Sequence, residues 1–110
     1  MSELQLTNQI IEFLNYQGIG YFWRVNSGML KAESKGKTRM IRMAKAGTSD
    51  IQGILRPNGR MVCLEVKLPN KRKNVTSLQT EYLAKMKQYG AITGLVTSPE
   101  EAKEFCTKKI

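Results

Sequence analysis

The sequence predicts a single α/β domain, a mixed β-sheet flanked by helices in the order α-β-β-β-β-α-β-α. Two observations carry that expectation. Three helix starts are marked by capping residues, at Ser2, Thr76 and Ser98. Runs of β-branched, aromatic and aliphatic residues fill the interval between the first two starts, and one more separates the second from the third. Helix-type and strand-type segments in this arrangement pack as helices on a sheet. With 110 residues and no repeat, linker or low-complexity tract, residues 1–110 form one domain with a modest core.

Each element has its own signal. Ser2-Glu3-Leu4-Gln5 has the form of a capping box, and Leu6, Ile10 and Leu14 recur on one face until Gly18. Tyr21-Phe22-Trp23-Arg24-Val25 is strand-like and ends at the turn formers Asn26-Ser27-Gly28. Residues 29–38 carry Lys31, Glu33, Lys35, Gly36 and Lys37 with little apolar pattern and read as a basic loop. A short strand near Arg39–Met43 follows. Two more strands flank the turn Arg56-Pro57-Asn58-Gly59, and Leu68 to Asn74 form a second basic loop containing Pro69. Thr76-Ser77-Leu78-Gln79 is another capping box, with Leu78, Tyr82, Leu83 and Met86 inward and Gly90 as the stop. Ile92–Thr97 is a strand, and Ser98, Pro99 and Glu101 begin the last helix.

Composition narrows the partners. The chain carries +9 at neutral pH. Between Phe13 and Thr80 thirteen Lys/Arg face three acids, whereas the remainder has five against six, so the whole excess is regional. Such a surface attracts a polyanion, and phosphate contacts supply most of non-specific nucleic-acid affinity. No apolar run approaches the length needed to span a bilayer, and the start lacks the order of a signal peptide, which points to the cytoplasm of a cell or infected host. Cys63 and Cys106 read as free buried thiols. The absence of histidine excludes Cys/His zinc sites and histidine bases, so any metal is held by oxygen, as Mg²⁺ and Mn²⁺ are.

The densest chemistry lies between Gly47 and Lys67. A hairpin folded about Asn58 pairs Asp50 roughly with Lys67, and the period of two puts Glu65 and Lys67 on one face. Two carboxylates and an ammonium among Ile, Leu and Val are costly unless a ligand or metal compensates them. The pattern points to a hydrolytic site.

Asp50, Glu65-Val66-Lys67 on the next strand and a helix opening with Gln79 resemble the PD-(D/E)XK nuclease superfamily. Closer still, Trp23-Arg24-Val25-Asn26-Ser27-Gly28, Gly47-Thr48-Ser49-Asp50 and the late Val96-Thr97-Ser98 with Glu100-Glu101 resemble the VRR-NUC, or virus-type replication-repair, nucleases. The likeness runs in order along nearly the whole chain, and the length is similar to stand-alone phage and bacterial members. Many members carry proline where this chain has Ser49, and serine makes the same turn.

The resemblance implies a metal-dependent DNA endonuclease acting on four-way or otherwise branched DNA in recombination, replication or repair. It implies that Asp50, Glu65 and the Val66 carbonyl hold Mg²⁺ or Mn²⁺ and that Lys67 positions water or stabilises the developing anion. Gln79 matches the superfamily glutamine that orients these groups, and is also the third residue of a capping box. Glu3 fits the place of the family's helix-one glutamate ahead of Glu12, although an acid in a first helical turn is favoured by the dipole alone. Arg39, Arg42 and Lys45 before Asp50, and Lys71, Arg72 and Lys73 after Lys67, are placed to grip phosphates. Tyr21 and Trp23 offer base stacking, but an alternating strand favours their burial in the core. The expected partners are DNA and a second copy of the chain in a homodimer, with neither membrane nor small-molecule cofactor. Competing readings are a non-catalytic DNA-binding module, a flap nuclease and a restriction-type enzyme.

Overall fold

A computed structural model describes residues 1–25, 29–34, 36–42 and 46–108, with the side chains of the strands at 29–34 and 39–42 left aside. The elements are α1 (Glu3–Tyr16), β1 (Gly20–Arg24), β2 (Met29–Ser34), β3 (Lys37–Arg42), β4 (Ile51–Leu55), β5 (Arg60–Val66), a 3₁₀ turn (Pro69–Lys71), α2 (Ser77–Gln88), β6 (Ile92–Val96) and α3 (Pro99–Thr107). The molecule is α/β, with a four-stranded sheet ordered β1-β4-β5-β6. The first three strands run antiparallel, while β6 joins β5 in parallel after the α2 crossover, so the sheet is mixed.

The helices begin where their capping residues stand. Ser2 and Thr76 each accept the amide of the third helical residue, and the Gln5 and Gln79 side chains return the bond. Ser98 caps α3 by accepting the Glu101 N–H, with Pro99 in the first turn. Gly18 and Gly90, both at positive φ, close the first two helices.

One expectation fails in the basic segment. Residues 29–38 are not a loop: they supply β2 and the start of β3, which form a separate two-stranded sheet registered from Met29 opposite Arg42 to Ser34 opposite Lys37. The segment's mixed charged and apolar residues suffice for a hairpin in which, among the described residues, β2 and β3 pair only with each other. The observed order therefore gains a strand, α-β-β-β-β-β-α-β-α. Asn26, Ser27, Gly28 and Lys45 lie outside the described residues.

Alternation along β5 separates the two faces of the main sheet. Val62, Leu64 and Val66 pack with Phe22, Ile51, Ile92 and Val96 against Leu6, Ile10 and Leu14 of α1 and Ala102 and Cys106 of α3. Cys63 and Glu65 point the other way, toward α2. That second interface is polar, and no α2 residue is fully buried. Leu78, expected inward, is 53% exposed, because the first turn of α2 lies over charged rather than apolar strand residues. At the free edge of the sheet, the Asn15 carboxamide donates to the Phe22 carbonyl and accepts its N–H, closing one backbone pair of β1 with α1.

Candidate active site

The β4–β5 register fixes the centre of the site. Ile51 pairs with Leu64, so continuing the ladder by one position sets Asp50 opposite Glu65, two residues short of the Lys67 pairing expected from the sequence. The turn between the strands is centred between Pro57 and Asn58 rather than on Asn58. Opposed residues share a face, and the Asp50 and Glu65 carboxylates come within hydrogen-bonding reach of each other. Asp50 Oδ2 also accepts the Val66 N–H at 2.8 Å, which ties the acid to the end of β5. Its backbone carbonyl accepts the Val25 N–H at 2.8 Å, bringing the end of β1 alongside.

The turn leading to Asp50 is built against α2. Gly47 holds φ +84°, and a Cβ there would stand 2.5 Å from the Leu78 carbonyl oxygen. Thr48 and Ser49 are buried beneath it, and the Ser49 hydroxyl donates to the Ile51 carbonyl. Serine at this position thus satisfies its own polarity inside the sheet.

Glu65 is 1% exposed. Gln79 Nε2 donates to its Oε1 at 2.8 Å, while Oε2 is buried without a hydrogen-bond partner. Desolvation, the contact with the Asp50 carboxyl and the charge of that carboxylate push the Glu65 pKa up to about 9. Lys67 pulls in the opposite direction and Glu3 adds weakly to the rise. The Gln79 carboxamide makes two contacts at once, its Oε1 accepting the Thr76 N–H at 2.9 Å while its nitrogen donates to Glu65.

Lys67 follows β5 directly and is 9% exposed, with its N–H donated to the Val96 carbonyl. Its ammonium acts on Glu65 through space and makes no ion pair within 4.0 Å among the described residues. Glu3, in the first turn of α1, lies near enough to feel Glu65, whereas Glu12 is exposed beside Gln9, Phe13 and Tyr16.

The basic candidates divide. Lys71 and Lys73 are exposed on the connection just after Lys67. Arg72 instead makes a two-pronged pair with Glu101, both N–O distances 3.0 Å, and Glu101 also accepts the Thr97 N–H. This ties the connection to α3. Arg39 and Arg42 belong to β3, which is inserted between β1 and β4 where those strands meet Asp50.

Behind the acids runs a polar layer that the sequence reading did not assign. Gln52 Nε2 donates to the Tyr82 hydroxyl at 2.9 Å, and Cys63 lies within reach of Ser49 and Tyr82. Polar residues at 50 and 52 on one face of β4 were the available signal. Both thiols are free and buried, and burial raises the Cys63 pKa and takes that of Cys106 to about 11, so neither is reactive.

A small hard cation suits this donor set. Two adjacent carboxylates, one with a buried oxygen lacking a donor, offer what Mg²⁺ or Mn²⁺ binds. Among the described residues no three Asp, Glu or Cys side chains converge as a metal-binding group, so carbonyl, water and phosphate oxygens would complete the shell, the habit of Mg²⁺. No protein-family model matches the chain, and no curated protein is significantly similar to it in sequence.

Proposed function

We propose that the chain is a Mg²⁺- or Mn²⁺-dependent DNA endonuclease of the PD-(D/E)XK type, similar to the VRR-NUC nucleases and directed at branched DNA. The observation that carries this reading is Glu65, a carboxylate buried against Asp50 with one oxygen uncompensated. A fold retains so unfavourable a pair when a cation or reacting group relieves it. The mixed sheet, with Glu65 on its antiparallel-to-parallel strand and a helix crossing to β6, is compatible with a restriction-endonuclease-like core.

Each residue has a task in phosphodiester hydrolysis. Asp50 and Glu65, with the Val66 carbonyl, would hold the ion. When bound, such an ion acidifies a water and neutralises charge at the scissile phosphate. Gln79 fixes the rotation of Glu65 through one oxygen and leaves the other uncommitted. Lys67, with no carboxylate paired to its ammonium among the described residues, orients the attacking water or stabilises the negative charge that grows on phosphate oxygen. Burial keeps bulk water from weakening these interactions. Lys71 and Lys73 hold neighbouring phosphates without reading sequence.

The test is cleavage of duplex, single-stranded, flapped and four-way-junction DNA by the purified protein with Mg²⁺ or Mn²⁺. Cleavage should vanish in EDTA, and Asp50→Ala, Glu65→Ala and Lys67→Ala should each lose it while still binding DNA. Wild-type turnover by Asp50→Ala would sink the assignment, and binding without turnover under every metal would leave a DNA-binding module.

A further inference from the structure

We infer that Tyr21 and Trp23 form a stacking surface for unpaired bases next to the phosphate held at Asp50 and Glu65, so that the preferred substrate carries single-stranded nucleotides beside the cut. The inference rests on the nuclease reading. It begins from the part of the α2-facing side of the sheet nearest the β1 edge. Among the described residues α2 packs chiefly over β5 and β6 and reaches β4 at Gln52, and beyond it Tyr21 is 65% and Ile54 43% exposed, with Trp23 half-buried between. Phe22, of opposite parity, takes the core position instead. The expectation of burial in the core is thereby corrected for Tyr21, while Trp23 is half-buried on the same face.

Register aligns these rings with the acids. Tyr21 pairs with Ile54 and Trp23 with Gln52, and Gln52 shares a strand face with Asp50. At a rise of about 3.3 Å per residue, Trp23 lies roughly 7 Å and Tyr21 roughly 13 Å along the strand from the level of Asp50. The ring centroids are 5.8 Å apart and tilted by 40°, so each ring keeps its own direction. A half-buried Trp23 followed by an exposed Tyr21, leading from the proposed phosphodiester site, matches a strand whose bases have left the duplex, because only unpaired bases offer free faces to protein rings.

Charge selects the occupant. Tyr21 and Ile54 border a shallow groove of about 350 Å³ that Arg56 also lines, and among the described residues no acid lines it. An apolar protein segment gains nothing from that guanidinium, whereas a polynucleotide supplies both rings and phosphate.

Trp23 is the sole tryptophan, so its emission reports the contact directly. The protein in EDTA, where binding is read without cleavage, is titrated with a labelled oligothymidylate and with a duplex of equal length. The single strand should quench Trp23 in step with the anisotropy of the label. Tyr21→Ala, at an exposed position, should weaken single-strand binding about tenfold and leave duplex binding within about twofold. Oligothymidylate that binds without changing Trp23 emission, or fails to bind, overturns the inference. Emission that shifts with protein concentration alone also overturns it and makes the row a self-association surface. Because these readouts need no turnover, they separate from the nuclease reading, which stands or falls on metal-dependent cleavage and Asp50→Ala.

Discussion

Glu65 concentrates the consequences at the scale of single residues. Its folded-state pKa, about 9, lies well above that of an unfolded glutamate. Between roughly pH 4.5 and 9 the metal-free native state therefore keeps a proton that the unfolded chain has released. Its stabilising contribution is full below that window and is lost as pH climbs through it. Thermal melts in EDTA should show a Tm that declines over this range, and Glu65→Gln should flatten the decline and raise the Tm near pH 8 while abolishing cleavage. Asp50→Asn should behave alike, since its amide oxygen still accepts the Val66 N–H and its nitrogen can donate to Glu65. Mg²⁺ or Mn²⁺ must displace the shared proton, so the Tm gained on adding metal should grow as pH rises. A metal-free Tm independent of pH in the wild type would remove the uncompensated carboxylate on which the functional reading rests.

At the scale of elements, α2 is placed by contacts that serve fold and site together. Thr76→Ala deletes the cap alone and should cost about 1 kcal/mol with turnover nearly kept. Gln79→Ala deletes the return half of the same box and frees Glu65, so it should lower both Tm and turnover. Equal turnover in the two variants would reduce Gln79 to a cap. Gly47→Ala forces a side chain into the Leu78 carbonyl at a φ that L-residues avoid, and should destabilise by about 1–3 kcal/mol while displacing α2 from Glu65. Melting curves and cleavage rates of the same preparations check this pair of effects. The Arg72–Glu101 fork fastens the Pro69–Lys71 turn to α3, so Arg72→Ala and Glu101→Ala should lower the Tm non-additively in a double-mutant cycle. Lys71→Ala and Lys73→Ala should leave the Tm alone and reduce the salt dependence of DNA binding.

At the scale of the whole molecule, on the proposed nuclease reading one Asp50/Glu65/Lys67 site would cut one strand, and a junction would require two cuts related by near two-fold symmetry. Two-fold pairing is the commonest closed assembly of small chains. The mass in solution is accordingly expected to be twice the 12.5 kDa of one chain, measured by light scattering at micromolar concentration. A monomer that cuts four-way junctions in symmetric pairs would break the link between assembly and substrate. The β2–β3 hairpin leaves and re-enters the main sheet where β1 and β4 approach Asp50. Its sequence carries Lys31, Lys37, Arg39 and Arg42, so basic charge is inserted at the end of the sheet where the acids lie. No helix among the described residues is long and apolar enough to cross a membrane.

The local order of elements was legible in the residues themselves. Helix ends followed from Ser2, Thr76, Ser98, Gly18 and Gly90, because caps and left-handed stops act within a few residues. Strands β4 and β5, and the nearness of Asp50 to Glu65, followed from side-chain alternation and one short turn. Tertiary structure alone decided the rest. The hairpin register moved by two residues, since a shift of two keeps every side chain on its face and leaves no trace in the pattern. β2 escaped notice because its mixed charged and apolar residues carry no strand period, and among the described residues it pairs only with the neighbouring β3. The polar layer of Ser49, Gln52, Cys63 and Tyr82, the orphaned oxygen of Glu65 and the exposure of Tyr21 depend on where α2 stops covering the sheet. That boundary is set by packing between elements distant in the chain, and no local signal encodes it.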